Sequence, residues 1–100
     1  MAKSVIKNPN IFLRRNIQFD KVQVPANGIY QYPNKDVSLS GYEFLGITGN
    51  YTGTNAGLAV FLCQTTSANS SEVQFGLLNT KGNAIIPNGN PQIQALYRKL

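Results

Sequence analysis

Short apolar runs, each ended by Gly, Asn, Thr or Ser, recur along most of this chain. The clearest of them cover residues 42–47, 57–64, 73–77 and 93–97. In the last two, apolar side chains recur at every second position, which is the pattern of a β-strand with one buried face. Because no ten-residue segment carries the apolar period of an amphipathic helix, the pattern predicts an all-β domain.

Shorter apolar segments add further strands. They cover residues 29–32, 37–39 and 85–86, and residues 11–13 form either a first strand or a hydrophobic peg that docks on a neighbour. About eight short strands separated by turns are typical of all-β sandwiches and jelly rolls. The fold class we expect is therefore all-β, a compact antiparallel β-sandwich or jelly roll of about eight short strands.

Two neighbouring apolar pairs are out of phase with each other. Ile17 and Phe19 are separated by one polar residue, and so are Val22 and Val24. A regular strand cannot hold both pairs on one face, because its side chains alternate strictly between faces. We therefore predict a bulge or break near residues 20–21.

The run at residues 57–64 is the most apolar strand of the chain, and it is apolar on both faces. Such a strand is expected in the centre of a sheet, or between a sheet and a partner subunit. The run contains Cys63, the only cysteine, which excludes an intramolecular disulfide and indicates a buried thiol filling a core site. The polar segments 50–57 and 65–71 on either side are expected to be surface loops.

Composition and charge narrow the functional classes. The chain has 100 residues, enough for one domain, and only 13% of them are charged, roughly half the usual share. The chain has twelve asparagines, which make the polar surface largely neutral. It has no histidine, which excludes catalytic Cys/His and Ser/His/Asp arrangements. Without the commonest metal ligand, and with no other ligand motif, we expect no metal site and no cofactor.

The net charge of +5 is concentrated near the ends of the chain. Four cations and no acid fall in the first fifteen residues, and Arg98 and Lys99 lie at the other end. We expect residues 1–15 to be a basic N-terminal arm or first strand, and residues 16–100 to be a single β-sandwich domain. No apolar run is long enough to span a membrane, so no membrane insertion is expected.

Four short motifs occur in a fixed order along the chain. They are VQVPANG at 22–28, SGY at 40–42, LGITG at 45–49 and QALYRK at 94–99. This order resembles the small β-rich terminal domains of phage tail, baseplate and fibre proteins, and the resemblance covers residues 17–99. The apolar and basic first fifteen residues depart from that pattern.

The resemblance implies a non-enzymatic virion component, made in the cytoplasm of a host bacterium, that acts in assembly or host-surface adhesion. It implies a homotrimer that contacts other virion proteins and, as a further partner, a host-surface glycan. A three-fold arrangement also has a physical reason, because identical copies can cover open sheet edges and bury the apolar strand around Phe61. The assembly residues that we expect are Ile11, Phe12, Leu13, Arg14, Arg15 and Phe61.

A sugar would be contacted by exposed polar and aromatic loop residues. In the loop after residue 49, a tyrosine ring can stack on a sugar while neighbouring amides and hydroxyls form hydrogen bonds. The candidates are Asn50, Tyr51, Thr52, Thr54 and Asn55. Tyr30 and Tyr32 are weaker candidates, and we assign Tyr42 and Tyr97 to the structure because they lie within strand patterns.

Three other hypotheses stay open. The first is a carbohydrate-binding module that works as a monomer, although the chain has no Trp. The second is a nucleic-acid-binding β-barrel that uses the basic arm; it is less favoured because single-strand binders interleave cations with stacking aromatics. The third is an enzyme with a carboxylate acid/base pair, drawn from Asp20, Asp36, Glu43 and Glu72.

Overall fold

The computed structural model describes residues 11–100, which form two antiparallel β-sheets and no α-helix. This confirms the predicted all-β class. Among the described residues there are seven strands: β1 Phe12–Gln18, β2 Gly28–Gln31, β3 Lys35–Asp36, β4 Tyr42–Tyr51, β5 Leu58–Thr65, β6 Glu72–Asn79 and β7 Pro91–Lys99.

The count of about eight strands was wrong by one. At the expected strand 85–86, only Ile85 bridges to Val24, and Pro87 follows two residues later, where its ring removes a backbone donor and ends any ladder. The strand expected at 37–39 is also displaced, because the pairing residues are those of β3, just before Val37.

The first sheet has three strands, with β7 in the centre and β1 and β4 on its two sides. The alternation predicted at 93–97 is confirmed, since Ile93, Ala95 and Tyr97 are fully buried. Leu13 of β1 and Phe44 of β4 lie opposite Tyr97 on either side. β4 carries a register shift directly after Phe44, at Leu45, where it adds one unpaired residue.

The second sheet has four strands, with β6 in the centre. β5 pairs along one side of β6, whereas β2 and β3 pair one after the other along its opposite side. The alternation predicted for this segment is confirmed, because Val73, Phe75 and Leu77 are buried.

Of the two positions predicted for the apolar run at 57–64, the centre of a sheet was wrong, because β5 lies at an edge of its sheet. β5 also has a register shift between Val60 and Leu62 that leaves Phe61 as an extra residue. A bulge of this kind bends an edge strand and interrupts further pairing. On the outer face of β5, the side chains of Ala59 and Phe61 are exposed.

Buried residues of both sheets form one cluster, into which the segment after β1 also packs. The rings of Phe19 and Phe75 are stacked with centroids 4.8 Å apart. On the side of β4 and β5, a Cβ at Gly49 would lie 3.0 Å from Cβ and Sγ of Cys63. A side chain at this position would therefore require Cys63 to shift by a few tenths of an ångström.

The predicted break near residues 20–21 is confirmed, because β1 ends at Gln18. Backbone hydrogen bonds then attach the residues after β1 to the segment between β6 and β7 and to the start of β7. The amide of Phe19 donates to the carbonyl of Pro91 at 2.8 Å, and Val24 and Ile85 exchange two bonds of 2.8 and 3.0 Å. These contacts hold residues 19–27 against the β6–β7 connection.

Asn79 fixes the turn that follows β6 and is completely buried. Its side-chain amide lies 2.9 Å from the carbonyl of Asn83 and 3.2 Å from that of Pro25. Its side-chain carbonyl accepts a hydrogen bond of 2.9 Å from the amide of Lys81. One side chain thus connects the turn to the segment before β2.

Candidate functional site

The loop predicted to bind a sugar lies against the segment that precedes β7. The hydroxyl of Tyr51 donates to the side-chain carbonyl of Asn55, which also accepts from the backbone amide of Asn88 at 2.8 Å. The side chain of Asn88 in turn accepts from the amide of Thr54 at 2.9 Å and donates to its hydroxyl at 3.0 Å. Three of the five candidates therefore meet in one network.

The other two candidates lie beside this network. The hydroxyl of Thr52 accepts from the backbone amide of Asn90 at 3.2 Å. Asn50 is exposed and pairs with Gln92 on the sheet. The structure therefore brings most of the predicted ligand residues together, but their polar groups are largely engaged with one another and with the 87–90 segment.

The predicted assembly residues near the N-terminus divide between the two faces of the first sheet. Leu13 packs against the core. The guanidinium of Arg15 lies 5.8 Å from the ring centroid of Tyr97 and donates to its hydroxyl at 3.3 Å. Phe12 and Arg14 are exposed on the opposite face, and Ile11 is exposed just before β1.

Phe61 belongs to an apolar cluster on the outer face of the second sheet. We call it the outer patch, and its residues are Ile29, Ala59, Phe61, Leu62 and Leu78. Ile29 and Ala59 pair with Leu78 from its two sides, and Leu62 pairs with Gly76 in the adjacent row. A Cβ at Gly76 would lie only 2.9 Å from the ring of Phe61, so the ring lies over this glycine. Ile29 is 47% exposed and Phe61 is 43% exposed.

The carboxylates considered for catalysis are dispersed, apart from one pair. Asp36 and Glu72 are opposite each other on β3 and β6, and both are exposed. Hydrogen bonds from the amide of Ser38 and the hydroxyl of Ser71 hold the pKa of Asp36 below its ordinary value. A general acid at neutral pH requires the opposite shift.

Glu43 forms an ion pair with Arg98 on the outer face of the first sheet. Both side chains are about half exposed, so the pair contributes little to stability. Asp20 is exposed, and its backbone carbonyl accepts a hydrogen bond from the hydroxyl of Tyr32. None of these contacts combines two carboxylates around a cleft.

Two buried tyrosines and the thiol have raised pKa values. Burial raises the pKa of Tyr97, and the nearby Arg15 guanidinium partly opposes this effect. Burial, followed by the charges of Tyr30 and Asp20, raises the pKa of Tyr32. Cys63 is half-buried rather than fully buried, and desolvation raises the pKa of its thiol, as expected for a packing residue rather than a nucleophile.

A groove that the sequence did not indicate opens beside β4 and β5, and we call it the edge groove. It has a volume of about 760 Å³. Its lining includes the aromatic residues Tyr42 and Phe44 and the polar residues Gln64, Thr65 and Asn69. These residues come from two strands and a loop, and the neighbouring edge positions of β4 and β5 are what bring them together. No local sequence pattern predicts that proximity.

Comparison with protein-family models finds no match, and comparison with curated proteins finds none. Within residues 11–100, no group of three or more His, Cys, Asp or Glu side chains is placed to hold a metal ion. The same part of the chain contains no helix that is long and apolar enough to cross a membrane.

Proposed function

We propose that this chain is a non-enzymatic structural module of a phage tail, baseplate or fibre. In this proposal it works as a homotrimer in the virion and acts in assembly or host-surface adhesion. The observation that carries the proposal is the outer patch. Contiguous exposed apolar surface of this kind is uncommon on a monomeric domain and is typical of an interaction site.

The surroundings of the outer patch favour a second and a third copy of this chain as the partner. The outward residues Gln31 and Gln74, which neighbour the outer patch, are uncharged, in contrast to Arg14, Glu43 and Arg98 on the outer face of the first sheet. Residues close to a symmetry axis meet their own copies, so a charge at that position would face a like charge. A neutral apolar patch avoids this repulsion.

We further infer that the two sheets form a sandwich. Its support is the single cluster of buried side chains that both sheets contribute, including the stacked Phe19 and Phe75. A two-sheet domain has open edges. The bulges at Leu45 of β4 and Phe61 of β5 lie on edge strands, where they hinder hydrogen bonding to a further strand.

The phage origin rests on the four sequence motifs, and three of them lie close together in the fold. SGY at 40–42 and LGITG at 45–49 fall on or beside β4, while QALYRK at 94–99 falls on β7, its hydrogen-bonded neighbour. The ring centroids of Tyr42, from the SGY motif, and Tyr97, from the QALYRK motif, are 6.3 Å apart. Three of the four motifs therefore belong to one packed unit.

The solution mass of the full chain tests the proposal. Light scattering coupled to size exclusion should give three times the mass of the 10.9 kDa chain. Phe61→Ser and Ile29→Ser should lower the mass to that of a monomer at the same concentration, because each removes apolar area from the outer patch. Circular dichroism should retain its β signature in both variants.

Ile86→Ser is the matched control, since Ile86 is 61% exposed and lies outside the outer patch. This variant should remain trimeric. A wild-type chain that stays monomeric over the full concentration range would contradict the proposal, and it would favour the monomeric carbohydrate-binding module instead. A trimer unaffected by either patch variant would contradict the choice of surface.

A further inference from the structure

The edge groove has the size and position of a small-molecule site. Its volume of about 760 Å³ falls within the range of about 300 to 1,000 Å³ that such sites occupy. It lies where the edge strands of the two sheets run close together, between the Ser38–Leu39 segment and the loop at residues 69–71. The outer patch contributes no residue to it.

The lining of the edge groove combines apolar rings with neutral polar groups. Tyr42 and Phe44 are half-buried, and both rings stand at a steep angle to the ring of Tyr97. The lining also includes serine, threonine, asparagine and glutamine residues, and no lysine or arginine is part of it. The one carboxylate is that of Glu43, which is already paired with Arg98.

This chemistry selects among ligand classes. Phosphates and carboxylates are bound by arginine, lysine or backbone amides, and the edge groove has no cation to offer them. An uncharged sugar instead presents an apolar ring face and hydroxyl groups, which match an aromatic ring beside neutral donors and acceptors. The lining therefore favours a neutral saccharide over an anion.

An extended peptide fits less well. A peptide that adds to a sheet edge needs a regular ladder of backbone donors and acceptors. β4 has its bulge at Leu45, within the part of the strand that lines the groove, and the bulge disrupts the ladder there. This edge is therefore poorly suited to strand addition.

Several polar side chains in the edge groove have hydrogen-bonding capacity left for a ligand. The side chains of Thr65 and Asn69 make no hydrogen bond to another residue of the described range 11–100, and Gln64 uses only its amide nitrogen, toward Gln74 at 3.1 Å. The predicted sugar loop differs, because Tyr51 and its neighbours bond to one another. The polar groups best placed for a ligand are those of the groove.

We propose that the edge groove binds a short neutral oligosaccharide. Its ring faces contact Tyr42 and Phe44, and its hydroxyls bond to Gln64, Thr65 and Asn69. The site is separate from the loop at residues 50–55. The proposal does not depend on self-association through the outer patch, so the two can fail independently.

Titration of the ¹⁵N-labelled full chain followed by NMR tests this proposal. The probes are maltotriose, cellotriose and the trimer of N-acetylglucosamine, with tri-galacturonate as the charged counterpart and penta-alanine as the peptide. At least one neutral trisaccharide should shift the amides of residues 42–47 and 64–71. Thr65→Phe, which places a ring in the groove, should abolish these shifts.

Thr48→Phe is the matched control, because Thr48 is exposed on β4 outside the groove; it should bind as the wild type does. Gln64→Ala should weaken binding by about tenfold, which corresponds to one lost hydrogen bond, whereas Gln18→Ala on β1 should leave it unchanged. The proposal is overturned if no neutral trisaccharide shifts the groove amides at millimolar concentration. It is also overturned if tri-galacturonate or penta-alanine binds more tightly there than every neutral sugar.

Discussion

The buried hydroxyl of Tyr97, on the central strand of the first sheet, donates a hydrogen bond to the backbone carbonyl of Val37, next to the strand β3 of the second sheet. The two residues are sixty positions apart in sequence, and both are fully buried. The bond therefore ties the sheets together in a region where the carbonyl of Val37 has no access to water. A buried carbonyl without a partner is costly.

Tyr97→Phe should lower the free energy of unfolding by about 1 to 3 kcal/mol. The phenyl ring keeps the packing against Phe44, so the loss reports the unpaired carbonyl together with the lost hydrogen bond from Arg15. Urea denaturation monitored by circular dichroism measures it. Tyr30→Phe is the control, because the half-buried Tyr30 hydroxyl has no hydrogen bond to another described residue; an equal loss in both variants would contradict the assignment.

Asn79→Ala should be among the more damaging single substitutions. It removes the side chain that joins the turn after β6 to the carbonyl of Pro25, and it leaves buried backbone groups without partners. We expect a loss of about 3 kcal/mol in the free energy of unfolding, measured by urea denaturation. Asn83→Ala, at an exposed position in the same turn, should change stability by less than about 0.5 kcal/mol.

The alternation of apolar and polar residues predicted the structural features that depend on one strand alone. Val73 and Ile93 were correctly assigned to buried faces, because the side-chain period of a strand is visible in its own sequence. The break near residues 20–21 was predicted for the same reason, since the apolar residues change phase there. These features need no knowledge of neighbouring strands.

Features that depend on pairing between strands were not predictable. Because β5 is apolar on both faces, it was expected in the centre of a sheet or between a sheet and a partner subunit, yet its edge position depends on which strands pair with β6. The edge groove depends on this position too, since it brings Gln64 near Tyr42. The partner of the loop at residues 50–55 was equally hidden, because Asn88 lies 33 positions beyond Asn55.

Stability should decrease as the solution becomes strongly alkaline. A tyrosine in an unfolded chain loses its proton near about pH 10, whereas burial raises the pKa of both Tyr97 and Tyr32 in the folded protein. Above that pH the folded state holds more protons than the unfolded state, so the free energy of unfolding falls as pH rises. Below it this contribution is fully present.

Urea denaturation between about pH 8 and about pH 11 checks this prediction. A Cys63→Ala background removes the thiol, whose pKa is also raised. Within that background, Tyr97→Phe and Tyr32→Phe should each make the decline less steep. A decline of unchanged slope in the double Phe variant would assign the alkaline loss to other groups.

The spacing between β4 and β5 depends on the contact of Gly49 with Cys63. A Cβ at Gly49 would come within 3.0 Å of the Cys63 side chain and 3.2 Å of Val60, a tight contact that these neighbours can relieve only by shifting. Gly49→Ala should therefore destabilise the fold by about 1 to 3 kcal/mol through overpacking. Gly82→Ala, whose Cβ would meet nothing within 4 Å, should be close to neutral and serves as the control.

A double-mutant cycle separates this contact from a general effect of alanine on β4. Cys63→Ala removes the sulfur and leaves space for the methyl group of Gly49→Ala, although the neighbouring Val60 still restricts it. The double variant should therefore lose less stability than the two single losses added together, by about 0.5 kcal/mol or more. Strict additivity in urea denaturation would mean that the cost at Gly49 comes from another neighbour, and the close approach of the two edge strands would then have a different origin.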